Sequence, residues 1–137
     1  MFSSARFSRN RFVGLVGGVL YVVLGAIGFT VTTDIPFTGA EGGVLFTLLE
    51  LNPAQNLVHL ALGAALIAGS FAPQAFIAAW NSVIGTVCFA LGFYGLFAID
   101  FAGDQLAMNT WGNALHFGSA AVLLGVGIGA DRELRAS

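Results

Sequence analysis

The chain contains two histidines, and each closes the same short polar pattern. The pattern is an asparagine, three residues, a second asparagine, two residues and a histidine. It reads Asn52, Asn56 and His59 in the first copy and Asn109, Asn113 and His116 in the second. Imidazole ligates metals, coordinates haem iron axially and exchanges protons near neutral pH, so these three kinds of chemistry are candidates for the repeated pattern.

The spacing within each copy places the second asparagine and the histidine on one helix face. Residues three apart are neighbours on the surface of a helix. Asn56 is therefore expected beside His59, and Asn113 beside His116.

The first asparagine of each copy predicts a helix cap. Asparagine is among the preferred N-cap residues, and Asn52 precedes a proline at the first helical position. Gln55 stands where a capping box would close. We therefore expect Asn52 and Asn109 each to start a helix.

The composition indicates that these helices lie in a membrane. Of the 137 residues, 57% are hydrophobic and 9% are charged, against roughly 25% charged in soluble domains. A helix crosses the bilayer core with about 20 apolar residues, and the uncharged runs provide four such stretches. The predicted fold is all-α, an integral membrane four-helix bundle in a single domain of residues 1–137, with spans at about 12–33, 53–72, 76–99 and 110–130.

The distribution of arginines predicts the orientation of this bundle. All five lie near the chain ends, at Arg6, Arg9, Arg11, Arg132 and Arg135. Basic residues favour the cytoplasmic side, and an even number of spans puts both termini there. The sequence therefore predicts a multipass protein of the cell (plasma) membrane with N and C termini in the cytoplasm.

One connection on the opposite side is unusually apolar. The segment Gly43–Leu51 contains a valine, a phenylalanine and several leucines, but it is too short to span a bilayer. We expect it to form a short helix along the outer membrane interface.

The repeated pattern also predicts internal symmetry. The helices before each copy match weakly, Leu24–Gly28 against Leu91–Gly95. Two tandem helical hairpins with the same orientation would be related by a pseudo-twofold axis along the membrane normal.

This symmetry would bring the polar pairs together. Both histidines lie about 10 Å below the outer helix ends, where polar groups are expected to face the protein interior. Tyr94 lies at a similar depth. The predicted buried polar cluster, or possible ligand-binding site, consists of Asn56, His59, Asn113, His116 and Tyr94.

Three roles for this cluster stay open. The favoured one is a clamp of Asn-to-His hydrogen bonds between the second and fourth spans. The second is a proton or metal site, with His59 and His116 as the metal ligands. The third is bis-histidine haem ligation, although the outer side offers no arginine or lysine to the haem propionates. No cofactor is predicted on the favoured reading; haem or a metal ion belongs to the alternatives.

The residues around both copies resemble a known family. The run Asn52–Gly63, followed by Asn113–His116, resembles the bacterial and archaeal four-helix membrane family called domain of unknown function 4383. The resemblance extends over nearly the whole chain and implies a small multipass protein with no established activity. It also implies that a further histidine often stands where this chain has Gln55.

The favoured function is a non-enzymatic one, a structural or accessory subunit of a membrane complex. Its partners would be the lipid bilayer and either other membrane subunits or further copies of itself. No carboxylate lies in a predicted span, and no nucleophile stands beside a base and an orienting group. A net charge of -2 without a basic stripe argues against nucleic acid. The alternative is a cofactor- or ion-binding membrane protein that uses the paired Asn/His motifs to hold a metal or haem.

Overall fold

Four helices make up most of residues 7–130, the part of the chain that the computed structural model describes. They are α1 Arg9–Gly28, α2 Pro53–Ser70, α3 Gln74–Ala98 and α4 Thr110–Gly125. A 3-10 turn, Phe29–Val31, extends α1, and a π-helical turn, Val126–Ala130, extends α4. The prediction of four helices is confirmed, and the described chain is mostly helical, although it also contains a short β-hairpin where the all-α prediction had none. Arg6, Arg132 and Arg135, on which the predicted orientation partly depends, lie outside the described residues.

Three of these helices are long and apolar enough to cross a membrane. They cover Arg9–Val31, Gln74–Ala98 and Thr110–Gly129. The helix α2 is not among them, since its first two turns carry the polar side chains of Gln55 and His59. Many large apolar side chains on the other helices are exposed, among them Leu20 and Phe93. Such surfaces suit lipid rather than water and indicate a membrane protein.

The helices pack most closely in two pairs, α1 with α2 and α3 with α4. In the first pair, a Cβ added to Gly18 would lie 2.8 Å from the carbonyl oxygen of Gly63. In the second pair, a Cβ added to Gly85 would lie 3.0 Å from the side chain of Leu123. Small residues at these positions let the helix backbones approach closely, which is how helices gain contact energy in lipid.

All four helices contribute to one apolar core. Tyr21 comes from α1, while two leucines of α2, two residues of α3 and two of α4 surround it. The buried members are Tyr21, Leu62, Leu66, Ile84, Cys88, Ala120 and Leu123. The core therefore joins the two helix pairs.

The segment Gly43–Leu51 forms a β-hairpin, so the expected interfacial helix is wrong. Its strands, β1 Gly43–Leu45 and β2 Leu49–Leu51, pair antiparallel. Alternation along the strands buries Leu45 and Leu51, while Val44 is 58% exposed. A helix this short gains little from its own hydrogen bonds. The hairpin instead pairs its backbone and turns two leucines inward.

The side chain of Asn52 joins the loop between α1 and α2 to the loop between α3 and α4. We call these two loops the outer connections, after the side on which the sequence predicts them. Its Oδ1 accepts from the backbone N–H of Gln55 (2.8 Å), which caps α2. Its Nδ2 donates to the carbonyls of Gly39 (3.0 Å) and Gln105 (2.9 Å). Gly39 and Leu106 form a parallel β-bridge beside it. One buried amide thus holds a helix start and two separate loops.

Asn109 has a related role at the start of α4. Its Oδ1 accepts from the N–H of Gly112 (2.9 Å), and its Nδ2 donates to the carbonyl of Leu48 (2.7 Å) in the β-hairpin. This second bond is exposed, so water can replace it.

Asn52→Ala and Asn109→Ala form a matched pair that separates these contributions. We expect Asn109→Ala to lower the free energy of unfolding by about 1 kcal/mol, the usual value of a cap. Asn52→Ala should lower it by about 2–4 kcal/mol, because it also leaves two carbonyls of the outer connections without a partner. Denaturant unfolding in detergent micelles, followed by circular dichroism, measures both. Equal losses would mean that Asn52 acts only as a cap.

Candidate functional site

The two histidines meet inside the protein. His59 lies two turns into α2 and His116 two turns into α4, so equal spacing from the two caps sets both at the same height. Their ring centroids are 5.5 Å apart, and the ring planes are tilted by 39°. Both residues are buried, with 0% and 1% of their surface exposed.

Tyr21 of α1 completes this group of rings. Its ring centroid lies 5.5 Å from that of His59 and 6.5 Å from that of His116. Its hydroxyl donates to Ser119 Oγ (2.8 Å) and lies 3.8 Å from Cys88 Sγ. The prediction did not include Tyr21. Its signal in the sequence was a hydroxyl in the middle of an otherwise apolar predicted span.

The asparagines beside the histidines make other contacts. Asn56 Nδ2 donates to Thr32 Oγ1 (3.1 Å), and a Cβ added to Gly28 would collide with Asn56 Oδ1. Likewise, a Cβ added to Gly95 would collide with Asn113 Oδ1. Within residues 7–130, neither nitrogen of His59 has a hydrogen-bond partner. The predicted Asn-to-His clamp is therefore not formed; each asparagine packs against a glycine of the neighbouring helix.

Tyr94 does not join the histidines. Its hydroxyl donates to Asp104 Oδ1 (2.9 Å) and accepts from the N–H of Gln105 (2.9 Å). Asp104 is buried and also accepts from the N–H groups of Leu106 and Met108. Depth alone suggested that Tyr94 belongs to the cluster, but the rotation of α3 turns it toward the following loop.

Gln55 also faces the outer connections. With its amide oriented to satisfy both groups, Nε2 donates to the carbonyls of Glu50 (3.1 Å) and Leu106 (2.9 Å). The Gln55 side chain thus links the β-hairpin to the loop between α3 and α4.

A second buried polar group lies at the opposite end of the helices, and the sequence analysis missed it. Asn81 Nδ2 donates to the backbone oxygen (2.9 Å) and side-chain oxygen (3.0 Å) of Asn10. Asn10 Nδ2 donates to the carbonyl of Val126 in the π-helical turn (2.8 Å). Asn10 stands next to terminal arginines in the sequence, so it resembled an exposed flanking residue. The group joins α1, α3 and the end of α4.

In the part of the chain that the structure describes, five buried side-chain atoms of the histidines and their neighbouring asparagines lack a hydrogen-bond partner. They are Asn56 Oδ1, His59 Nδ1, His59 Nε2, Asn113 Oδ1 and His116 Nδ1. Among residues 7–130, no group of three or more His, Cys, Asp and Glu side chains is arranged to hold a metal. The site therefore offers two imidazoles as nitrogen donors, without a carboxylate among them.

Tyr21→Leu and Tyr94→Leu test which tyrosine belongs to the site. The chain has only two histidines, so the imidazole signals in an NMR spectrum report on this site alone. Tyr21→Leu removes an aromatic ring that contacts both imidazoles, and we expect both sets of signals to shift. Tyr94→Leu should leave them in place. Histidine signals that respond to Tyr94→Leu and ignore Tyr21→Leu would contradict this geometry.

The comparisons with known proteins give one result. Residues 11–129 match the family model Domain of unknown function (DUF4383). No curated protein and no solved structure matches the chain. The matched residues include both histidines, Tyr21 and nearly all of both helix pairs. Since the match extends over most of its length, the chain belongs to the DUF4383 family.

Proposed function

We propose that the chain crosses the membrane four times, with α2 as a span in addition to the three apolar helices. The helix α2 runs antiparallel along α1, so that Gly14 faces Ser70 and Gly28 faces Asn56. It therefore covers the same depth as α1, which is itself a candidate span. Its 18 residues extend for about 27 Å at 1.5 Å per residue, close to the thickness of the hydrocarbon core. Its polar side chains are buried against the other helices rather than exposed to lipid.

The four spans form two tandem hairpin repeats. Three glycines of α1 each have a counterpart in α3 that lies 67 residues further along the chain. The residues that they contact in α2 and α4 are likewise related by a constant offset of 57 residues. The contacts are Gly18 with Ile67, Gly25 with Leu60 and Gly28 with Asn56, then Gly85 with Leu124, Gly92 with Phe117 and Gly95 with Asn113. Three equivalent contacts with constant offsets support a pseudo-twofold relation along the membrane normal.

Both termini face the cytoplasm, and the cell membrane is the proposed location. Arg11 at the start of α1 donates to the carbonyl of Ala72 (3.3 Å), so the turn between α2 and α3 shares its side. The opposite connections carry acidic residues and no basic ones. The positive-inside rule supports this orientation.

Labelling of single cysteines tests whether α2 crosses. Thr47→Cys and Ala72→Cys flank α2, and the only native thiol, Cys88, is buried. In intact cells freed of their outer layers, a membrane-impermeant maleimide should label Thr47→Cys. It should label Ala72→Cys only after the membrane is opened. Equal labelling of both positions from outside would contradict a crossing α2.

The proposed activity is that of a non-enzymatic structural or accessory subunit. The observation that supports it is a groove between α1 and α4, with a volume of about 380 Å³. Gly17 and Leu20 line one wall, and Ala114, Gly118 and Val122 line the other. The groove opens toward the lipid-facing surface and has room for a few side chains of a neighbouring helix.

Gly118 of α4 lines this groove, and no other helix of residues 7–130 occupies the space beside it. A Cβ added to Gly118 would have no atom of the described residues within 4 Å, apart from its own helix. At the glycines of α1 and α3 described above, side chains or backbone of the paired helix occupy that space. Since small residues allow close helix contact in membranes, we assign the groove to a transmembrane helix of another membrane protein.

Gly118→Leu and Ala90→Leu test this docking face. Both residues are exposed, and both changes add similar bulk, one in the groove and the other on the surface of α3. In mild detergent, the wild-type protein and Ala90→Leu should migrate as a complex with a second membrane protein at fixed stoichiometry. Gly118→Leu should release the chain as a monomer with unchanged thermal stability.

Two outcomes contradict the proposal. A wild-type protein that is monomeric when extracted from its native membrane has no partner subunit. A complex that Gly118→Leu leaves intact does not use the groove. A complex of identical chains disrupted by Gly118→Leu would assign the groove to a second copy and overturn the assignment to another protein.

A further inference from the structure

The imidazole nitrogens at the centre of the protein require a partner. Among the described residues, Nδ1 and Nε2 of His59 and Nδ1 of His116 have no hydrogen-bond partner. Nearly all buried polar atoms in proteins are hydrogen-bonded, and an unsatisfied one costs about 1–3 kcal/mol. Both side chains are almost wholly buried, so bulk water does not reach them. A small bound species between the rings would satisfy one nitrogen of each imidazole.

The separation of the rings suits a bridging metal ion. Bonds of about 2.0 Å from a metal to two imidazoles keep the ring centroids within about 6.3 Å of each other. The observed separation is 5.5 Å. The linear arrangement that two-coordinate ions favour needs the full separation of about 6.3 Å, so the two rings would move apart by about 0.8 Å on binding. Side-chain movement accounts for a shift of this size without separating α2 from α4.

The charge of the surroundings favours a monovalent ion. In their neutral forms both imidazoles are uncharged donors, and none of the helices α1 to α4 carries an acidic residue within its bounds. The buried carboxylate of Asp104 is already engaged by Tyr94 and two backbone N–H groups. The cost of burying an ion rises with the square of its charge, so a divalent ion without a counter-charge is strongly disfavoured.

The donor atoms restrict the choice among monovalent ions. Sodium and potassium prefer oxygen ligands. Imidazole nitrogen suits zinc, copper, iron and nickel, and of these metals copper forms a stable monovalent ion. Cu(I) and Ag(I) have filled d shells and accept two ligands. We propose that His59 and His116 together bind one Cu(I) ion per chain, for which Ag(I) is a redox-stable substitute. This site is separate from the α1/α4 groove and does not depend on a partner helix.

The first experiment uses the two histidines as their own probes. The full chain is purified in detergent with an affinity tag that contains no histidine, and its histidines are labelled with ¹⁵N. Cys88→Ala provides a second sample from which the only thiol is absent. One equivalent of Ag(I) should shift the ¹⁵N signals of both imidazoles in both samples, and further Ag(I) should add no change.

Substitutions and a competing ion then test the ligand set. His59→Gln and His116→Gln, each confirmed as folded by circular dichroism, should weaken Ag(I) binding by at least about 100-fold, since one of two donors is lost. Tyr94→Phe is the matched polar control outside the site and should bind Ag(I) like the wild type. Zn(II) at the same concentration should leave the imidazole signals unchanged.

Several results would overturn the proposal. If neither imidazole signal shifts with Ag(I), or if only one of them shifts, a bridging ion is excluded and water is the bound species. Binding lost in Cys88→Ala assigns the metal to the thiol. Binding of Zn(II) as strong as that of Ag(I) removes the argument from charge.

Discussion

Polar side chains in an apolar interior must find their partners on neighbouring elements, and the rest of this structure depends on that constraint. A lipid environment supplies no water to a buried amide or imidazole. At one end of the helices, Asn10 and Asn81 satisfy each other and the π-helical turn after α4. At the other end, Asn52 satisfies two loops and a helix start. These contacts fix which helices lie side by side, a choice that apolar contacts alone leave less specific.

Between these two ends the helices are joined by contacts of glycine with larger residues. Gly28 accommodates Asn56 and Gly95 accommodates Asn113, so each asparagine occupies space that the neighbouring helix leaves free. The asparagines are consequently turned away from the histidines. The imidazoles meet each other and Tyr21 instead, in a centre where hydrogen-bond partners are scarce. The scarcity of hydrogen-bond partners in this centre is thus a consequence of how the paired helices pack.

Much of this could be predicted from local sequence, and the remainder depends on how helices rotate against one another. Uncharged runs gave the four helices, and the position of Asn52 before a proline suggested a cap. The spacing of the repeated pattern gave both histidines the same height. Tyr21 donates to Ser119 in α4, and Tyr94 donates to Asp104 in the loop that follows its own helix. The direction in which each tyrosine faces depends on these tertiary contacts, which the periodicity of a single span does not reveal. The β-hairpin was missed for a similar reason, since it gains from burying Leu45 and Leu51 against parts of the fold that composition does not describe.

Each capping asparagine bonds to a loop of the other helix pair, and this affects the order in which the protein assembles. Asn52, which starts the second helix of the first hairpin, donates to Gln105 in the second hairpin, and Asn109 donates back to Leu48 in the first. During synthesis, Asn52 is made before Gln105 exists. The Asn52 amide can donate to Gly39 at once, but its bond to Gln105 forms only when the second helix pair has folded against the first. A chain truncated after its third helix would therefore lack both asparagine bonds that join the two helix pairs.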